Sequence, residues 1–321
     1  MTGLFLLFMI FTQCERNEYD LLDPSTAGEW TLFTTTSGIP GNSIGDVKQD
    51  SKNNIWVTCP GSGVAFYSSG KWTPYTTSNS QILSNYVTSV AETSTGIILF
   101  GTTNGISMRS TTGQWSYFRD PSAVMNVTTI KVTSKGEIWA GTEGRTVYYN
   151  TGSGWINIYD SYVTNVYAIE EDASGNICLG TDYGILKKSG TTWTQISTSN
   201  GLPSNLVTAL YLDSKKRLWI GTYGGKTVCY MDSSGKLTQI NLMGGDPGTL
   251  INDIFEDRNG DMWFATYLGG VIHYDWVVPV SLKQSTGFYE DKVTSIGGDK
   301  DGNLWFGLYS KGVAEFSLPL N

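Results

Sequence analysis

Arg217-Leu218-Trp219-Ile220-Gly221-Thr222, followed by Tyr223-Gly224-Gly225, is the clearest copy of a phrase that recurs seven times along the 321-residue chain. The slot held by Gly221 falls at Thr58, Gly101, Gly141, Gly180, Ala265 and Gly307 in the other copies. Successive spacings are 43, 40, 39, 41, 44 and 42 residues, a period close to 41. A period of that length made only of strand-like segments marks a radial array of four-stranded sheets. The expected fold is all-β, a seven-bladed β-propeller with four antiparallel strands per blade.

Working outward from the phrase, the fifth repeat reads as four strands: Leu206 to Leu212, Arg217 to Thr222, Lys226 to Met231 and Leu237 to Leu242. The first turn of a repeat follows a D-x-x-G pattern, seen at Asp172 to Gly175, Asp257 to Gly260 and Asp299 to Gly302. Its Asp can bond the turn backbone, and its Gly supplies the positive φ of a short hairpin. Trp56, Trp139, Trp219, Trp263 and Trp305 all stand two residues before the Gly221 slot. Trp30, Trp72, Trp115, Trp155, Trp193 and Trp276 fall in the expected outer strands. So regular a placement reads as packing between blades, and none of these indoles is assigned to a ligand.

The two ends of the chain complement each other. Glu29-Trp30-Thr31-Leu32-Phe33 is an outer strand with no inner strands before it, whereas the last repeat stops near Phe316 without an outer strand. The N-terminal strand should therefore complete the seventh blade and remove an open sheet edge. The domain plan is residues 29–321 as a single propeller, preceded by an N-terminal targeting segment, 1–14, and a polar tether, 15–28.

Hydrophobic residues make up 40% of the chain, enough for a core, and charged residues only 16%. The formal charge of −8 and pI near 4.7 lack the basic footprint that binds phosphates, so nucleic acid is not an expected partner. Near the start, Leu4 to Phe11 is apolar but too short to span a bilayer, the length of a signal-peptide core. Phe11-Thr12-Gln13-Cys14 resembles a bacterial lipoprotein cleavage box, which implies lipidation of Cys14 and contact with the membrane only through that anchor. Cys59, Cys178 and Cys229 have no paired spacing, which disfavours zinc, redox and disulfide roles. Cys178 stands where most repeats carry Trp and reads as a small buried hydrophobe.

Leu202-Pro203-Ser204-Asn205, followed by Arg217 to Gly225, resembles the two-component regulator propeller repeat, and so does Asp299-Lys300-Asp301-Gly302-Asn303-Leu304-Trp305-Phe306-Gly307. The resemblance covers nearly the whole expected propeller. It implies the extracytoplasmic sensor half of a membrane-bound hybrid histidine kinase, or a stand-alone secreted or lipid-anchored protein. With no second propeller, transmembrane helix or kinase segment in the sequence, the stand-alone form is expected, in the cell envelope of a Gram-negative bacterium or secreted.

Propeller ligands usually meet the face made by second-to-third and fourth-to-first strand loops. In order, the second-to-third loops offer Pro60, Thr103, Glu143, Asp182-Tyr183, Tyr223, Tyr267 and Tyr309. Tyr183, Tyr223, Tyr267 and Tyr309 thus form an arc over blades four to seven, with Glu143, Arg145 and Asp182 beside it. Adjacent loops add Tyr162, Asp246, Phe288, Tyr289 and Glu290, of which Tyr289 joins the candidate set. Aromatic rings with a few carboxylates suit stacking on sugar faces and bonding to hydroxyls.

Catalytic patterns are absent by comparison. The single histidine, His273, lies mid-strand and reads as structural or outward-facing, which argues against Ser-His-Asp and Cys-His arrangements. Asp299 to Asn303 lacks the later Glu of a calcium loop, and Gly224-Gly225-Lys226-Thr227 lacks the first Gly of a phosphate loop. No cofactor or metal is expected. The function read from the chain is non-enzymatic binding or sensing of a saccharide or other small extracellular ligand. The alternatives are a scaffold docking an envelope protein and a polysaccharide lyase or hydrolase using Glu143 with Asp182.

Overall fold

Each copy of the recurring phrase lies in the second strand of its own sheet, where alternate side chains meet the sheets on either side. The computed structural model describes residues 29–144, 146–159, 165–224, 227–242 and 250–317. These form seven four-stranded antiparallel sheets. Blades one to six take consecutive strands, and in blade five these are Val207–Leu212, Leu218–Thr222, Thr227–Met231 and Leu237–Asn241. Blade seven combines Val293–Gly298, Leu304–Leu308 and Val313–Ser317 with Glu29–Phe33 from the other end of the chain. Trp30 pairs with Phe316 and Phe33 with Val313, so the expected seven blades and the expected closure are both present.

The Gly221 slot is small because the next blade passes over it. A Cβ added at Gly221 would stand 2.6 Å from Ile251 Cγ2, and one at Gly141 or Gly180 would meet Val166 or Val207 within 3.0 Å. Each of those partners begins the inner strand of the following blade. The slot therefore sets the distance between sheets, and the apolar core is divided into clusters that each bridge two neighbours. Ala168, Cys178 and Ile185 of blade four, for example, pack with Val207, Leu210 and Cys229 of blade five. Burial holds the Cys178 thiol protonated, its pKa pushed up to about 12.

The tryptophans two residues before that slot are buried, and each has a polar partner for its indole nitrogen. Trp56 Nε1 donates to Asp50 Oδ2, Trp219 to Asp213, Trp263 to Asp257 and Trp305 to Asp299, at 2.8 to 3.0 Å. The same aspartates accept the turn amides, as when Asp257 Oδ1 takes Asn259 N–H at 2.8 Å. One carboxylate thus shapes the hairpin and satisfies a buried indole, a use of the D-x-x-G aspartate that the repeat spacing did not show.

One tryptophan departs from the expected plan. Trp276 lies in the turn before the outer strand of blade six, which begins only at Pro279, and has φ +70°. Asp275 Oδ1 accepts the Val277 and Val278 amides, and this local turn holds the indole off the strand. Its Nε1 instead donates to Gly260 O at 2.7 Å, with the Arg217 guanidinium 4.2 Å over the ring.

Candidate functional site

The rim that carries the sequence candidates is built from two kinds of loop that lock together. In fourth-to-first loops, an Asn or Asp side chain accepts an amide seven or eight positions earlier. Asn42 takes Thr35 N–H, Asn85 takes Thr77, Asn205 takes Thr198 and Asp291 takes Gln284. The carbonyls of those four residues then receive Gly312, Gly63, Gly184 and Gly270 N–H from the neighbouring second-to-third loops. The Leu202-Pro203-Ser204-Asn205 phrase is this clamp.

On that frame, Tyr183, Tyr223, Tyr267 and Tyr309 are between 37% and 50% exposed, so all four rings reach solvent along blades four to seven. The Tyr223, Tyr267 and Tyr309 amides donate to the carbonyls of Leu206, Leu250 and Lys292, each at 3.0 Å, which fixes the height of the three rings. Tyr183 sits in a tighter hairpin, its amide on Thr181 Oγ1 and its carbonyl on Gln195 Nε2.

Two of the rings form a unit with a residue absent from the sequence candidates. Tyr267 and Tyr309 meet edge to face, centroids 6.3 Å apart, and Lys292 Nζ lies 4.9 Å from one ring and 5.0 Å from the other. Lys292 precedes the inner strand of blade seven, so the cluster spans the junction of blades six and seven. Its ammonium lies against two π-faces. Glu290 is engaged elsewhere, accepting Ser310 N–H and Oγ–H at 2.9 and 2.7 Å.

The remaining candidates divide. Glu143 accepts Asn126 Nδ2–H and bridges to Asn165, placing it on the blade-three rim. Asp182 is half-buried beside Tyr183. Tyr289 turns inward, packing edge-on against Trp30 and tilted against Phe288 in the blade-seven core, and burial pushes its phenol pKa up. It belongs to the core more than to the rim, because the closing strand brings Trp30 beneath it. Arg145, Tyr162, Asp246 and Cys14 lie outside the described residues.

Inner strands enclose a polar channel of about 490 Å³. Side chains on these strands cross to the next blade: Thr88, Thr128, Thr208 and Asn252 donate to the carbonyls of Val127, Val166, Ile251 and Val293. Glu170, paired with Lys131, and two aspartates line the channel, Asp46 accepting Val90 N–H and Asp253 accepting Ile254 and Ile296 N–H. Enclosure by the ring raises both aspartate pKa values, Asp253 to about 7 with a further push from the charge of Asp46. The two aspartates stand where other blades carry Ser89, Thr129, Ala168, Ala209 and Ser295. Comparing that one repeat position would have singled them out.

His273 is far from the rim. It is 3% exposed on the third strand of blade six, its ring 4.3 Å from Trp263 and its Nε2 3.2 Å from Asp261 Oδ2 in the first hairpin. That hairpin lies at the end of the blade opposite Tyr267, since successive strands run antiparallel. Of the two readings for this residue, the structure supports the structural one; it does not face outward.

Comparison with known proteins gives a repeat match and a fold. Residues 201–224 and 245–268 match the two component regulator propeller family. No curated protein sequence matches the chain. The extracellular domain of a hybrid two component system from B. thetaiotaomicron is similar over 90% of this chain, at 18% identity and a TM-score of 0.74. The chain spans 42% of that domain's length. A streptogramin B lyase is similar over 92% of this chain and 100% of its own, at 16% identity and a TM-score of 0.75. The WD40 propeller domain of Doa1 is similar over 90% and 97%, at 14% identity and a TM-score of 0.70. At these identities the structures share the architecture. Among the described residues, no helix is long and apolar enough to cross a membrane.

Proposed function

We propose that this chain, a seven-bladed propeller that carries two component regulator propeller repeats, is a non-enzymatic extracytoplasmic module that senses a saccharide at its rim. The observation that carries the reading is the exposed tyrosine arc, and within it the Tyr267–Lys292–Tyr309 cluster across blades six and seven. Rings held at fixed height by backbone hydrogen bonds suit sugar faces at small entropic cost. The ammonium between two of them favours sugars bearing a carboxylate or sulfate over neutral ones. The extracytoplasmic placement draws on likeness to an extracellular domain.

Likeness to a streptogramin B lyase extends to the fold, while the one histidine of this chain is buried at the opposite end from the rim. That placement favours binding over a histidine-dependent reaction. Calorimetry of the full chain against neutral and acidic oligosaccharides tests the reading, with Tyr267→Ala and Tyr309→Ala as comparisons and product release assayed in parallel. Binding by the parent chain that both substitutions weaken supports it. No binding across the panel overturns the saccharide reading, and released product overturns the non-enzymatic one. Capture of an envelope protein that both variants lose would transfer the same surface to a protein ligand.

A further inference from the structure

We propose that Asp257, Asp261 and His273 form a binding site for a divalent transition-metal ion of the zinc class, at the hairpin end of blade six. The inference rests on comparing one place in the fold across the ring. In blades one, four, five and seven the turn aspartate has a side-chain donor four positions later. Asn54 Nδ2 bonds Asp50 at 2.8 Å, Asn176 Nδ2 bonds Asp172 at 2.9 Å, Arg217 Nε bonds Asp213 at 2.6 Å and Asn303 Nδ2 bonds Asp299 at 2.9 Å. In blade six that position is Asp261, a second carboxylate in place of the donor. Two carboxylates packed together at a partly buried turn repel each other, and a cation between them would relieve that repulsion.

The third component comes from the neighbouring strand. The position opposite the buried indole is Phe66 in blade one, Tyr149 in blade three and Tyr230 in blade five, but His273 in blade six. Its Nε2 is 3.2 Å from Asp261 Oδ2, and one donor atom from each of the three residues falls within 4.8 Å of the others. Ligands bound at ~2.0–2.2 Å to a tetrahedral ion stand roughly 3.4 Å apart, so side-chain adjustments of about an ångström close the set. One imidazole nitrogen with two carboxylate oxygens is a zinc-class donor set, whereas calcium and magnesium take oxygen shells.

The surroundings suit a bound ion. His273 is held against the Trp263 ring and is nearly inaccessible, while the Asp261 side chain keeps 15% exposure. Entry is from the Asp261 side, which also leaves room for a water as fourth ligand. Bound there, the ion joins the first hairpin of blade six to its third strand, at the opposite end from the tyrosine arc.

The test uses the full chain without a histidine tag, stripped with a chelator and titrated with Zn²⁺ and, for its visible absorption, Co²⁺. The parent chain should bind one ion at this site, show tetrahedral Co²⁺ bands, and melt at higher temperature with Zn²⁺. Asp261→Asn reproduces the arrangement of Asn54, Asn176 and Asn303, and His273→Phe reproduces Phe66, so both should fold. Each should weaken Zn²⁺ binding at least tenfold and lose the Co²⁺ bands. A parent chain without the bands and without a Zn²⁺-dependent melting shift overturns the site. So do variants that bind as the parent does.

Discussion

Phe33 and Gly312 meet at the seam of the ring: a Cβ on Gly312 would lie under 3.0 Å from the Phe33 carbonyl oxygen. Phe33 ends the N-terminal strand and Gly312 precedes the strand it pairs with, so this contact joins the two ends of the propeller. Gly312 also has φ +96° and donates its N–H to Asn42 O at 2.8 Å.

Gly312→Ala therefore both strains φ and pushes the closing strand away. It should cost about 3 kcal/mol in denaturant unfolding, against roughly 1 kcal/mol for Gly235→Ala. Gly235 shares a positive φ but has open space around its missing Cβ, so the difference isolates the contact with Phe33. Equal losses would show that the contact does not constrain closure.

Removing a turn aspartate should leave a buried indole without a partner. Asp213 is buried, accepts Trp219 Nε1 at 2.8 Å and pairs with Arg217 Nε at 2.6 Å. Asp213→Ala orphans both, and a loss of about 3 kcal/mol is expected in equilibrium unfolding. A loss below about 1 kcal/mol would mean that water replaces the carboxylate at little cost.

Stability should fall between about pH 4 and pH 8. Burial raises Asp253 to about 7, and burial with the charge of Asp299 raises Glu315 to about 7, from ordinary values of 3.8 and 4.5. Groups raised in the folded state favour folding below their unfolded pKa, and that contribution disappears as pH climbs through the folded value. Glu315→Gln should flatten the upper part of this curve, gaining on the order of 1–2 kcal/mol at pH 8 after discounting for contact with water. Thermal melts from pH 4 to 8 give the slope, and a midpoint rising with pH over that window would contradict the assignment.

Charge at the rim can be separated from shape. Lys292→Gln removes the ammonium near the Tyr267 and Tyr309 rings and leaves both rings in place. Affinity for acidic oligosaccharides should fall about tenfold while that for neutral ones changes little, read by calorimetry. Equal effects on both would assign Lys292 a role in holding the rings.

Much of the fold was legible in the chain. A spacing near 41 residues, five indoles at one offset and unmatched strands at the two ends were enough to count blades and join them. The Trp276 exception was not legible, because a local turn around Asp275 outweighed the repeat pattern. Candidate residues were visible as types at loop positions, and the arc of exposed tyrosines lies where those positions imply. Tyr289 shows the limit: its loop position marks it for the rim, yet the indole of Trp30 draws it inward.

Period, strand alternation and turn chemistry act over a few residues, so they could be read without coordinates. Neighbours across the ring could not. Lys292 meets Tyr267 and Tyr309 only once blades six and seven are side by side, and Asp46 influences Asp253 only because the first blade closes against the seventh. Asp261 finds His273 by the pairing of strands within blade six. Each of these contacts depends on distance and on exclusion of water, and both are properties of the closed ring rather than of residue order.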